Sequence, residues 1–269
     1  MIWGLLFFLI LVLHLGIGGI VFIKNFRNIT NQSFFLLTFF LASWMAVHFL
    51  QNEPPFKNFA EFLFRLDFFL GIFLCSTFYF FTQLFPQPVS ISFTKKLFIF
   101  IPSFLFSILS FNNLIIKQIH FHNGVIDGEP GILFGGYFLI ALAYVGGGII
   151  KLFFNFKKSL GIQKTQILYV FLGMAITSGT LFFVNLILGA IFNLSLHVYR
   201  ATSAASLSFT IFTALAITRY HLFGIEVILT ELLVGVIGIL LIIQTFTSPT
   251  LFWKVVNGII FTFFSLFGY

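Results

Sequence analysis

The sequence predicts an all-α integral membrane protein: a seven-helix transmembrane bundle over residues 1–220, then a hinge and a further transmembrane helical pair over 221–269, about nine spans in all. Three observations carry that reading. The 269 residues are 59% hydrophobic and only 8% charged, with 45 Phe, outside the range of soluble domains. A soluble fold of this length lacks the interior to hide so much apolar surface. The apolar residues come in runs of about 20, the number that crosses a hydrocarbon core of roughly 30 Å, and the cations gather in alternate loops between them.

Taken in order, Ile2 to Ile23 is the first span. It has no basic leader and no small-residue cleavage site, so it reads as an uncleaved span. The second runs from about Ser33 to Leu50 and ends in a polar loop broken by Pro54-Pro55. The third extends from about Phe59 to Phe85, where Pro86 and Pro88 stop it. Lys95-Lys96 open the fourth, which ends near Phe111. A longer polar loop, Asn112 to Gly131, leads to a glycine-rich fifth span, about Ile132 to Phe154. The sixth and seventh cover about Thr165 to Phe192 and Val198 to Ile217. Beyond the hinge at Arg219-Tyr220-His221 and Gly224 come Val227 to Phe246 and Leu251 to Tyr269, separated by Ser248-Pro249.

Charge orients the bundle. The loops after spans one, three, five and seven hold nine cations: Lys24, Arg27, Lys95, Lys96, Lys151, Lys157, Lys158, Lys164 and Arg219. The opposite side holds Lys57, Lys117, Arg200 and Lys254, with Arg65 just inside the third span. Positive-inside bias then predicts an external N-terminus, with the hinge and the C-terminus in the cytoplasm. The net charge of +7 is a matter of topology and does not call for nucleic acid. Lone Cys75 excludes an intrachain disulfide and any CxxC metal site.

Few polar residues lie inside the spans. Arg65 and Asp67 sit about 6–12 Å into the third, at a rise of 1.5 Å per residue, where ionisable groups must face the bundle and find partners. Glu61 lies four residues before Arg65 and pairs with it along the helix. Asp67 faces elsewhere, and Arg200 at the mouth of span seven is a candidate partner. A structural ion pair with a snorkelling Arg65 explains the pattern most simply; the alternative is an outer ligand pocket of Arg65, Asp67, Arg200 and Asn185, the polar residue of span six. His14 and His48 read as packed or hydrogen-bonded helix residues. His120 and His122 with Asp127 and Glu129 fall far short of a metal-site signature, so neither metal nor cofactor is expected. Glycines in spans five and six, among them Gly148 and Gly173, allow close helix approach. No phosphate loop, intramembrane-protease motif or clustered catalytic set occurs.

The more telling motifs are Gly161-x-Gln163-x-x-Gln166-x-x-Tyr169-x-x-x-Gly173 entering span six and Ala216-Ile-Thr-Arg-Tyr-His-Leu-Phe-Gly-Ile225 leaving span seven. With the seven-span count, the external N-terminus and the Arg65-Leu-Asp67 start of span three, they resemble the N-terminal seven-helix membrane region of bacterial sensor histidine kinases. The resemblance covers about the first 220 residues. It implies a sensory input domain of a two-component system in the plasma membrane. Independently of the resemblance, the hinge position of Arg219, Tyr220 and Glu226 makes them the expected relay residues, handing the movement on within a homodimer or to a partner kinase. His221 lacks the sequence context of a phosphoacceptor, and no ATP-binding boxes follow, so the chain itself is not expected to be an enzyme. It is expected to be the input half of a truncated or split kinase, or a receptor that works through one. The alternative class is a small transporter or permease component, which would call for inverted repeats and broken helices at the midplane; neither is visible.

Overall fold

The computed structural model describes residues 2–122, 125–182, 205–218 and 255–262. The chain divides into two compact units, Trp3–Tyr220 and the remainder. In the second unit the described stretch 255–262 is helical, with the Thr262 hydroxyl donating back to Gly258 O.

The larger unit is built of helices α1 (Ile2–Lys24), α2 (Ile29–Leu50), α3 (Ala60–Leu84), α4 (Phe93–Leu109), α5 (Phe134–Lys158), α6 (Gly161–Phe182) and α7 (Ser206–Thr218). Three of the described helices are long and apolar enough to cross a membrane: α1 over Phe7–Lys24, α2 and α5. The helical, membrane-spanning class is thus observed. The predicted count of seven plus two spans falls partly on residues outside the described ones, as do the hinge and the span expected over Val227 to Phe246.

The exterior is as apolar as the interior, and small hydroxyl residues are buried among the core side chains. Phe98, Ile20 and Leu139 point outward, Phe98 with 76% of its surface exposed, while Thr38, Ser76, Thr77, Thr82, Ser107 and Thr210 are wholly buried. Thr38, Ser76, Thr77, Thr82 and Ser107 satisfy their hydroxyls on carbonyls three residues back in their own helix. In lipid the apolar exterior costs nothing, and small hydroxyl residues let helices pack closely.

Helix α3 is the hub, packing against α2, α4 and α5; α5 meets α6, and α6 pairs with α7. Two apolar clusters share it. One joins α1, α2, α3, α6 and α7 around Phe34, Phe81, Ile167 and Val170. The other joins α3, α4 and α5 around Ile72, Leu84, Tyr137 and Tyr144. Pro102 removes from the α4 ladder the N–H that would reach Phe98 O, and in the same stretch Ile99 O accepts from Tyr144 Oη at 2.5 Å.

Helix starts depart from the hydropathy boundaries for a local reason. Helix α2 begins at Ile29 and not near Ser33, because Asn28 caps it by accepting from Thr30 N at 2.8 Å. The polar first turn is then buried by pairing: Thr30 donates to Leu84 O and Asn31 to Val21 O. Helix α6 begins at Gly161, whose φ of +54° admits the tight link from α5. Within the long loop, β1 (Ile116–His122) and β2 (Val125–Pro130) form an antiparallel hairpin, a strand element the sequence reading left as plain loop.

Candidate functional site

The hairpin end of the larger unit holds most of its acids and two of its polar centres. Arg65 is the first. Its guanidinium donates to Glu61 Oε1 at 3.2 and 3.3 Å, one helical turn back. It also donates to the carbonyls of Ser110, Asn112 and Ile116 and to Asn113 Oδ1, at 3.0 to 3.4 Å. Arg65 is 8% exposed. All of these partners lie in α3 itself or in the turn from α4 into β1, so the residue pins the hairpin to α3. A fork of fixed donors suits such a cluster of carbonyls.

Asp67, two residues on, faces α2. Its Oδ2 lies 3.3 Å from His48 Nδ1, and the same nitrogen is 3.2 Å from Gln51 Nε2. A ring nitrogen carries either a proton or a lone pair. Protonated, Nδ1 donates to Asp67 and turns a proton toward the Gln51 amide. Unprotonated, it accepts from Gln51 and leaves Asp67 without its donor. The three side chains therefore have two mutually exclusive hydrogen-bond arrangements.

Two buried acceptors remain over. Asp67 Oδ1 and Gln51 Oε1 have no hydrogen-bond partner among the described residues. A buried oxygen in that state is costly and marks a place where a donor is missing. Access exists, because His48 is exposed over 58% of its side chain while Asp67 is at 14%. Trp44 stacks on the His48 ring at 5.6 Å, and close by Tyr137 donates its hydroxyl to Phe68 O at 2.8 Å. Among the described residues no three His, Cys, Asp or Glu side chains gather as a metal ion would require. His120 pairs instead with Glu129 across the hairpin at 3.2 Å.

Of the predicted site residues, then, the structure places Arg65 and Asp67 on α3 with separate partners. Asn185 and Arg200 lie outside the described residues, as do Arg219, Tyr220 and Glu226. His48 and Gln51 are the members that sequence reading missed. The available signal was depth: His48 sits in the last turn of α2 and Gln51 caps it, opposite the first turns of its antiparallel neighbour.

A second histidine occupies the bundle interior. His14 on α1 is wholly buried, with Nδ1 2.7 Å from Thr210 Oγ1 and Nε2 3.0 Å from Ser206 Oγ on α7. The Ser206 hydroxyl reaches Met45 Sδ at 3.4 Å. One pattern satisfies every group: Nε2–H donates to Ser206, Ser206 donates to the sulfur, and Thr210 donates to Nδ1.

Helix α7 is held equally closely from its other side. Gln166 donates to Ala216 O at 2.8 Å, and the Tyr169 and Phe212 rings lie 6.0 Å apart. A Cβ on Gly173 would come within 2.9 Å of the Phe209 backbone. The glycine–glutamine–tyrosine motif is thus the α6 face that receives α7. A family model described as the N-terminal 7TM region of histidine kinase matches residues 6–226. The chain belongs to that family. No curated protein and no solved structure matches it. This histidine-kinase sensor region is a membrane sensory input domain of a two-component system, multi-pass in the plasma membrane, and the matched stretch is the sensor and not the kinase.

Proposed function

We propose that this sensor region reads its signal at the hairpin end, in the polar cluster of His48, Gln51 and Asp67, and passes it out along α7. The observation that carries the proposal is the pair of buried acceptors, Asp67 Oδ1 and Gln51 Oε1, left without a donor beside a histidine with two exclusive arrangements. A hydrogen-bond donor arriving from outside selects one arrangement, and a bistable element is what a sensor needs. Asn185 and Arg200 complete the outer site in this reading, while Arg65 supports it by holding the hairpin.

The positive-inside distribution supports an external hairpin end and a cytoplasmic lysine-rich end. Residues 1–220 then form the sensor and 221–269 the hinge with its terminal helical pair. Arg219, Tyr220 and Glu226 hand the movement on to a kinase, in a homodimer or through a partner. The test is Asp67→Ala and Arg200→Ala, made singly, with autophosphorylation of the linked histidine kinase read in proteoliposomes. Both changes are expected to alter signal-dependent output while membrane insertion is retained. Unchanged output in both removes the pocket from the mechanism.

A further inference from the structure

At the opposite end of the same unit, where α3 and α5 finish and α6 begins, lies a half-open cavity of about 250 Å³. Its polar lining includes Gln83, Lys151, Asn155, Lys158, Ser159 and Gln163, and no carboxylate contributes to it. Asn155 also ties the cavity wall together by donating to Phe85 O at 2.9 Å. The neighbouring lysines are engaged, Lys157 over the Phe153 ring at 4.6 Å and Lys164 over Phe156 at 5.0 Å. Lys151 and Lys158 have no hydrogen-bond, ion-pair or ring partner among the described residues. The five described acids that lie in or beside the hairpin end, Glu53, Glu61, Asp67, Asp127 and Glu129, are far along the helices from this cavity.

We infer that this cavity binds the phosphate of an anionic phospholipid headgroup. Two unneutralised ammonium groups and several amide and hydroxyl donors match a group that offers only acceptor oxygens and negative charge. Gln163 is the third residue of α6, whose first turn contains no acid, so the positive end of that helix adds to the same potential. A water takes about 30 Å³ of liquid volume, which leaves ample room for a phosphate with retained hydration. The apolar part of the lining favours an amphiphile over a soluble ion: exposed Val89 belongs to it with Phe85 and Pro86, and exposed Leu160 and Ile162 flank the lining residues Ser159 and Gln163 in the chain. Basic pockets at this level between membrane helices suit anionic headgroups. Occupancy would bear on output, because Gln163 is one turn from Gln166, which holds α7.

The experiment is native mass spectrometry of the full chain released from bilayers of equal phosphatidylglycerol and phosphatidylcholine. Retention of phosphatidylglycerol over phosphatidylcholine is expected. The double change Lys151→Gln with Lys158→Gln should lower that retention about twenty-five-fold, at roughly fivefold per lysine. The double change Lys95→Gln with Lys96→Gln, on the same end but outside the cavity lining, removes only general surface attraction and should lower retention distinctly less than the cavity pair. Lys151→Arg with Lys158→Arg keeps the charge and should keep the lipid, which separates charge from folding. Equal losses in the two glutamine pairs, or no headgroup preference in the unaltered chain, would overturn the inference. Millimolar inorganic phosphate should not displace the lipid; if it does, the cavity belongs to a soluble phosphate and the lipid assignment fails.

Discussion

His14 and His48 sit on adjacent helices and face opposite circumstances. His14 is sealed in the bundle with a hydroxyl on each ring nitrogen, and its two partners, with Met45 Sδ behind Ser206, form one consistent pattern. His48 lies at a helix end with one nitrogen shared between an amide and a carboxylate, and two acceptors left over. The first arrangement holds α1 to α7 in one geometry. The second has two mutually exclusive arrangements, and in the proposed reading an arriving donor chooses between them. One residue type is thus a fastener in one place and, on the reading proposed above, a responsive element in the other; what separates them is the number of unmet hydrogen bonds.

The largest expected effect tests the fastener. His14→Ala strands the Thr210 and Ser206 hydroxyls and opens a void, so it should cost about 2–4 kcal/mol of stability, measured by unfolding in lipid nanodiscs. Asp67→Ala should cost less than about 1 kcal/mol, since it also removes a carboxylate oxygen that lacked a partner. A loss at Asp67 equal to that at His14 would collapse the contrast and make both sites structural. Gln51→Leu comes last, at about 0.5 kcal/mol, because it removes a buried oxygen that lacked a donor along with the amide, and should leave His48 committed to Asp67. Nuclear magnetic resonance of a ring-labelled His48 would then report one environment where the unaltered chain reports two.

Much of this was legible in the residues. Apolar runs located α1 to α5 to within a few positions, whereas described α7 starts eight residues after the predicted Val198; the Glu61–Arg65 pair followed from a spacing of four. The other partners of Arg65 lie 45 to 51 residues away, and sequence spacing carries no information on contacts between elements. The hairpin did have a signal: Asn123-Gly124 between Ile-rich and Val-Ile stretches is a two-residue hairpin turn in composition. The polar residues of the loop obscured it. The His48–Asp67 contact depends on how α2 and α3 are rotated about their axes, which is set by packing. The α6 motif was read as a family mark, and its physical meaning came only with α7 in place: each of its later positions touches that helix.

Helix α7 is also gripped near its end by two bonds to backbone oxygen, Gln166 to Ala216 O and Lys24 to Thr218 O, the latter at 3.1 Å. A piston stroke of one residue shifts every carbonyl by about 1.5 Å, enough to break a bond with little slack. Twisting the helix by roughly 20° at a backbone radius of about 2.3 Å shifts them by only about 0.8 Å, which a long lysine stem can follow. With these two moorings, a small turn of α7 disturbs its end less than a one-residue slide would.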